Sequence, residues 1–292
     1  MIDIRLIDAL EGLKTLESNS VDLVLTSPPY ADISLLNYGS VEKINSKNYI
    51  DWFLTIMKEI NRVLKPSGSF ILNINDFCKG GYKDKYIYHL ISKSDESGLK
   101  LYDTYFWVKK AVMPNGSPKR FRNTTEFIFH FNKDYKQMKF YMDRVLQEPT
   151  ETTKNRYNYS VAYPDSVVDG ERTYRPKTRV IHALKFEDGK RVEVYVEKEV
   201  SYMVRPTNVF NFKTGSGSRE NEIKHPAPFH EELPLFFIKV LTDENDLVVD
   251  PFSGIGTTGV SCVKTGRDYI DFDLNENYIE YSKKRINKYE II

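Results

Sequence analysis

The stretch Val21-Asp22-Leu23-Val24-Leu25-Thr26-Ser27-Pro28-Pro29-Tyr30 decides how the rest of the chain is read. Its opening residues are apolar but for Asp22 and predict a short buried strand. Pro28 and Pro29 cannot extend that strand, because each fixes φ and brings no N–H to a ladder. The backbone must leave the sheet at Ser27 in a stiff, extended turn whose carbonyls no neighbouring strand claims. Tyr30 then sets a flat ring beside those free acceptors. Such an arrangement suits the exocyclic amino group of a planar base, held by its hydrogens and by its face. A proline-punctuated loop with a buried tyrosine is the plain structural alternative.

A second strand and turn lie near the far end of the chain. Leu247-Val248-Val249-Asp250 predicts a buried strand that opens into Pro251-Phe252-Ser253-Gly254-Ile255-Gly256-Thr257-Thr258-Gly259 and a helix. The spacing Gly254-x-Gly256-x-x-Gly259, with Asp273 nineteen residues beyond Gly254, matches a dinucleotide fingerprint. An NAD site is therefore one reading and a structural helix-start turn another. Asp250 at the mouth of the loop argues against NAD, since it repels a pyrophosphate and suits a cationic amino-acid moiety. Only one further strand follows, so the remaining strands of a nucleotide fold have to come from the N-terminal half.

Together these motifs resemble those of S-adenosylmethionine-dependent DNA amino-methyltransferases of the permuted (beta-group) type. In that arrangement the catalytic motif precedes the target-recognition region and the cofactor loop comes last. The likeness covers most of residues 1–138 and 221–285. Ser27-Pro28-Pro29-Tyr30 looks like the catalytic motif of the cytosine-N4 branch, whereas adenine-N6 enzymes more often begin it with Asp or Asn. The resemblance implies an α/β fold: a Rossmann-like class I methyltransferase mixed sheet, helices on both faces, with a circularly permuted motif order and an irregular β-rich insertion.

The resemblance also implies the cofactor, S-adenosylmethionine, and its contacts. Asp250, Pro251, Phe252, Gly254, Gly256, Thr257 and Thr258 correspond to the cofactor loop, and His225, Pro226 and Phe229 to the segment closing over the methionine end. Asp273 corresponds to the ribose-binding acid and Asp8 to the adenine contact, with Thr26 beside the catalytic motif. As a lone residue Asp8 reads first as a helix cap. The chain departs from the family pattern at Asp271, where a glycine is frequent, and at Asn73, where some relatives carry a carboxylate. Carboxylate assistance to Ser27 then has to come from elsewhere, with Asp76 as the candidate.

Composition is that of an ordinary globular protein, 40% hydrophobic and 28% charged in 292 residues. Net charge is only +1, but its distribution is uneven. Residues 107–225 hold 23 Lys and Arg against 15 Asp and Glu, leaving 19 basic and 26 acidic residues outside. No apolar run approaches the ~20 residues of a membrane helix. Met1-Ile2-Asp3-Ile4-Arg5 has no basic leader or apolar signal core, which with two distant cysteines predicts a reducing cytoplasm. Cys78 follows Phe77 and Cys262 follows Ser261, so the Pro-Cys pair of cytosine-C5 methylation is missing. The histidines 89, 130, 182, 225 and 230 show no ligand spacing, and no metal is expected.

Along the chain, strands are expected at residues 2–7, 69–73, 101–108, 126–131 and 269–273. Helices are expected at 49–63, about 83–93, 233–241 and 275–288. Lys65-Pro66-Ser67-Gly68 reads as the break after the first long helix, and Gly80-Gly81 as a flexible joint. The organisation predicted is a catalytic half at 1–138, a target-recognition insertion at 139–220 and a cofactor-binding half at 221–292. The DNA-reading surface is assigned to the insertion, with Arg172, Arg175, Lys177 and Arg179 as its densest basic cluster, and to the 114–122 loop with Arg120 and Arg122. A solvated loop is the bland reading of both. Double-stranded DNA is the expected partner, and the resemblance further implies pairing with a restriction endonuclease and leaves a homodimer open. The rival readings are adenine-N6 methylation, an RNA or protein substrate, and a protein that holds S-adenosylmethionine without chemistry.

Overall fold

In the computed structural model, which describes residues 1–32, 45–109, 119–148, 178–187, 190–199, 204–213 and 230–290, the decisive stretch is strand β2 (Val21–Thr26), buried at every position. It lies inside an eight-stranded sheet of order β1-β12-β11-β2-β3-β7-β6-β10. The partners are β1 (Ile2–Leu6), β3 (Leu64–Ile74), β6 (Lys100–Val108), β7 (Thr125–Asn132), β10 (Val209–Phe210), β11 (Leu247–Asp250) and β12 (Asp268–Asp273). Of these only β7 runs against the rest, pairing antiparallel with β3 and β6. The sheet is thus mixed, and β2 from one half of the chain sits directly beside β11 from the other. Burial on both faces explains why β2 and β11 read as near-continuous apolar runs rather than alternating ones.

Helices cover both faces. Strand β12 shows this, because Tyr269 and Phe272, three residues apart, point to opposite sides. A Cβ on Gly12 of α1 (Ala9–Lys14) would lie 2.6 Å from the Phe272 ring, and one on Gly259 of α5 (Thr257–Val263) 2.5 Å from Tyr269. The long helix α2 (Ser46–Val63) buries Tyr49, Phe53, Ile56, Met57 and Ile60, an i, i+3/i+4 stripe, in the core beside Phe70 and Phe131. Each such burial contributes roughly 1.5–3 kcal/mol. The remaining helices are α3 (Tyr86–Lys93), α4 (Glu232–Leu241) and α6 (Glu276–Glu290).

The described residues form two compact units, Met1–Arg144 with Thr207–Ile292, and Val145–Pro206. Within the second, β8 (Thr178–Glu187) and β9 (Lys190–Glu199) make a regular antiparallel hairpin, and Gln147 and Val204 exchange backbone hydrogen bonds of 2.9 and 2.8 Å.

Three local expectations change. Residues 65–68 do not form a separate break: β3 starts at Leu64 directly after α2 and takes up the proline through a register shift against β2. Gly80-Gly81 is a hairpin turn rather than a flexible joint. Its φ values of 59° and 85° join β4 (Cys78–Lys79) to β5 (Tyr82–Lys83), a twist that suits two glycines. That hairpin delays α3 to Tyr86, whose N–H is accepted by Asp84 at 2.9 Å.

Candidate active site

The turn after β2 is where the sheet stops. Ser27 and Pro29 are half-buried and Pro28 is buried. The Tyr30 hydroxyl donates to Glu126 Oε2 at 3.1 Å, and Lys109 forms an ion pair with the other Glu126 oxygen. Glu126 is only 5% exposed, so this carboxylate and its lysine anchor the hydroxyl end of the tyrosine ring. Lys109 Nζ also lies 5.2 Å from the Trp107 ring centre. Asp76 is held elsewhere, by Lys83 and by Asn123 Nδ2 at 3.3 Å. The carboxylate hydrogen-bonded to the motif is Glu126, through the Tyr30 hydroxyl. Its sequence signal was faint: one acidic residue opening an otherwise apolar strand.

Beside this turn, β11 ends at Asp250. Thr26 Oγ1 donates to Asp250 Oδ1 at 2.6 Å and Thr258 Oγ1 to Oδ2 at 2.6 Å, while the Phe252 N–H reaches Oδ1 at 3.2 Å. These bonds clamp the glycine loop onto β2 across 224 residues of sequence. Pro251, Gly254 and Gly256 are buried, and the Phe252 ring rests 5.8 Å from Trp52 of α2. Thr257 Oγ1 accepts from Arg285 at 3.4 Å, and the same guanidinium donates to the Ile255 carbonyl at 2.7 Å.

On β12, Asp273 accepts the N–H groups of Gly254 at 2.9 Å and Asn275 at 2.8 Å. Asp8 caps α1 by accepting from Leu10 N at 2.9 Å and Glu11 N at 3.3 Å. Asp271 pairs in register with Asp250 and is buried, with no hydrogen bond of ordinary geometry to either oxygen, although the Tyr269 and Ser253 hydroxyls stand beside it.

Burial governs the protonation of these acids. It pushes Asp250 and Asp273 up to about 6, against the hydroxyl and N–H donors that hold them down. Asp271 is driven well above the usual carboxylate range by burial and then by Asp250. Among the described residues no lysine or arginine is ion-paired with any of the three. An acidic cluster with no counter-cation among the described residues, around a loop with no side chain at Gly254 and Gly256, fits a ligand that carries positive charge and lies close to the backbone. S-adenosylmethionine, with its sulfonium and ammonium, is such a ligand.

Arg120 and Arg122 are exposed at the approach to β7. Arg179 is in β8 opposite Lys198. His225, Pro226, Phe229, Arg172, Arg175 and Lys177 lie outside the described residues. Cys262 is buried in α5 and Cys78 is exposed. Among the described residues no group of three or more His, Cys, Asp or Glu is placed to hold a metal ion, and no helix is long and apolar enough to cross a membrane.

Residues 21–284 match the family model described as DNA methylase. The type II methyltransferase M.PvuII of Proteus hauseri is 31% identical over 288 residues, covering 95% of this chain and 81% of that one. The DNA adenine methyltransferase YhdJ of Escherichia coli (strain K12) is 26% identical, with 96% and 81% covered. Among solved structures, the cytosine-N4-specific PvuII DNA methyltransferase superposes with a TM-score of 0.67 at 24% identity, over 97% of this chain and 87% of that one. The M1.HpyAVI–SAM complex superposes with a TM-score of 0.57 at 23% identity, over 98% and 100%. The order of motifs, the sheet that sets them side by side and the extent of these matches make one case: the chain is an S-adenosylmethionine-dependent DNA methyltransferase and belongs to the DNA methylase family.

Proposed function

We propose that the chain methylates the exocyclic N4 of a cytosine swung out of duplex DNA, as the modification enzyme of a restriction–modification system. One observation carries the reading: Thr26 and Asp250 join the strand end bearing Ser27-Pro28-Pro29-Tyr30 to the strand end bearing the glycine loop. A base amino group and a methyl donor held at two adjoining strand ends become an intramolecular pair, which supplies much of the rate.

Cytosine N4 is a poor nucleophile because its lone pair is delocalised into the ring. The carbonyl of Ser27 and the Ser27 hydroxyl accept the N4 hydrogens and favour a pyramidal nitrogen, stabilising charge as it develops through dipoles already in place. Pro28 and Pro29 keep that carbonyl free of any ladder. Tyr30 stacks on the base, its hydroxyl held by Glu126. When bound, S-adenosylmethionine supplies an electrophilic methyl group. Asp273 serves its ribose hydroxyls, Asp8 its adenine, and His225, Pro226 and Phe229 its methionine end. Asp250, Thr257 and Thr258 shape the glycine loop, which Pro251, Phe252, Gly254 and Gly256 line. Residues 139–220 read the target sequence.

The serine that opens the motif supports cytosine, as does the likeness to M.PvuII; the likeness to an adenine methyltransferase keeps adenine N6 as the second reading. Incubating the protein with methyl-labelled S-adenosylmethionine and unmethylated duplex DNA, then digesting to nucleosides, decides between them. N4-methylcytosine is the expected product. N6-methyladenine alone would move the assignment to the second reading, and label only in RNA or protein would defeat both.

A further inference from the structure

Two large rings stand in water at the end of the sheet that carries the motif. Phe121 is 99% exposed and Tyr82 81%, the two most exposed large hydrophobics among the described residues. Neither contributes to the core, and a side chain that pays nothing into folding is free to serve a surface. Tyr82 opens β5, directly after the Gly80-Gly81 turn, and Phe121 lies between Arg120 and Arg122 in the segment leading into β7.

These two segments are fastened together and to the motif. Arg120 Nη2 donates to the Gly81 carbonyl at 2.5 Å, and Asn123 Nδ2 reaches Asp76, which also pairs with Lys83. Lys79 Nζ bonds Asp32, two residues beyond Tyr30, at 3.0 Å. The register of β3 with β7 sets Ile74 opposite Phe127, so both segments belong to the carboxyl end of the parallel strands. The two segments carry Lys79, Lys83, Lys119, Arg120 and Arg122 against Asp76 and Asp84, with Lys79 paired to Asp32 and Lys83 to Asp76. The two segments are therefore apolar at two exposed points and carry a net positive charge.

A base reaches the Ser27 turn only by leaving the stack, and the gap it leaves favours closing again. Apolar side chains inserted at a base step oppose that closure, with cations on the adjoining phosphates. We propose that Phe121 and Tyr82 enter the duplex and hold it open while the target base occupies the site, the surrounding lysines and arginines facing the flanking phosphates. This rests on the methylation reading only in that a base leaves the helix, not in which base it is.

The test uses the full-length chain, the doubly substituted Phe121→Ala, Tyr82→Ala variant, and an oligonucleotide duplex centred on the methylated base mapped from the transfer assay. Single-turnover methylation at saturating protein is compared on the paired duplex and on one with a mispaired base opposite the target. The variant should be about tenfold slower on the paired duplex and within about twofold of the parent on the mispaired one, whose target is already loosened. Its melting temperature and cofactor affinity should match the parent's, because both rings are in water. Equal slowing on both duplexes, no slowing on either, or a lowered melting temperature overturns the proposal. A parent chain that methylates no DNA overturns this and the methylation reading together; a parent that methylates adenine leaves this proposal standing on its own ratio.

Discussion

Ser27 and Asp273 stand at the two ends of the site and should fail differently. Ser27→Ala removes an acceptor used mainly as charge develops, so turnover should fall by about ten- to a hundredfold while cofactor affinity stays within about twofold. Asp273→Ala should weaken the cofactor first, by about tenfold or more, since charged hydrogen bonds are lost. Titration of cofactor into each variant, beside its steady-state turnover, separates the two. Asp273 also predicts a pH dependence. Folded, Asp273 and Asp250 keep their protons up to about 6, whereas unfolded they release them near 4. Their contribution to stability is complete below that lower value and is lost as pH rises towards 6. Cofactor affinity runs the other way, because the ionised carboxylate is the better acceptor and the better partner for a cation. It should strengthen as pH rises through about 6 and level off above about 7, and Asp273→Asn should flatten that rise in calorimetric titration.

Among the elements, the β11–loop–α5 unit depends on backbone that only glycine supplies. Gly256 has φ of 75°, and a Cβ there would fall 2.0 Å from Ser282 Oγ on α6. Gly256→Ala therefore forces both a left-handed alanine and a displaced α6. It should cost roughly 1–3 kcal/mol in denaturant melts and weaken cofactor binding with it. Asp8→Ala removes the cap of α1 and should cost about 1 kcal/mol with a smaller effect on turnover than Ser27→Ala. A Gly256→Ala chain that melted and bound cofactor as the parent does would show that the loop relaxes around the new methyl group.

At the scale of the whole molecule, the central pair β2 and β11 comes from opposite ends of the chain, and β3, β7, β6 and β10 from between them complete the sheet. The described strands of the Val145–Pro206 unit, β8 and β9, form a sheet of their own, and the Gln147–Val204 backbone pair brings the unit's two ends together. Replacing residues 149–203 by a short Gly-Ser linker should leave a chain that folds and binds S-adenosylmethionine with parental affinity. If this unit reads DNA, the shortened chain should lose site-selective methylation; unchanged site choice, mapped by sequencing the methylated DNA, would place recognition elsewhere.

What the residues determined by themselves was local. Apolar runs closed by Pro28-Pro29 and by Gly254-x-Gly256 specified both strand-and-turn units, and the α2 stripe specified its helix, because periodicity and φ restriction act within a few neighbours. Their order along the chain was enough to resemble a family and to name Ser27 and Asp273. Tertiary structure decided whatever depended on strands distant in sequence: the Thr26–Asp250 clamp, the Glu126–Lys109 pair on the Tyr30 hydroxyl, and the β4–β5 hairpin tied to Arg120. No spacing encodes those pairings. They arise only when sheet order and register bring side chains together, and a single carboxylate such as Glu126 carries no sign of its partner until the neighbouring strand is in place.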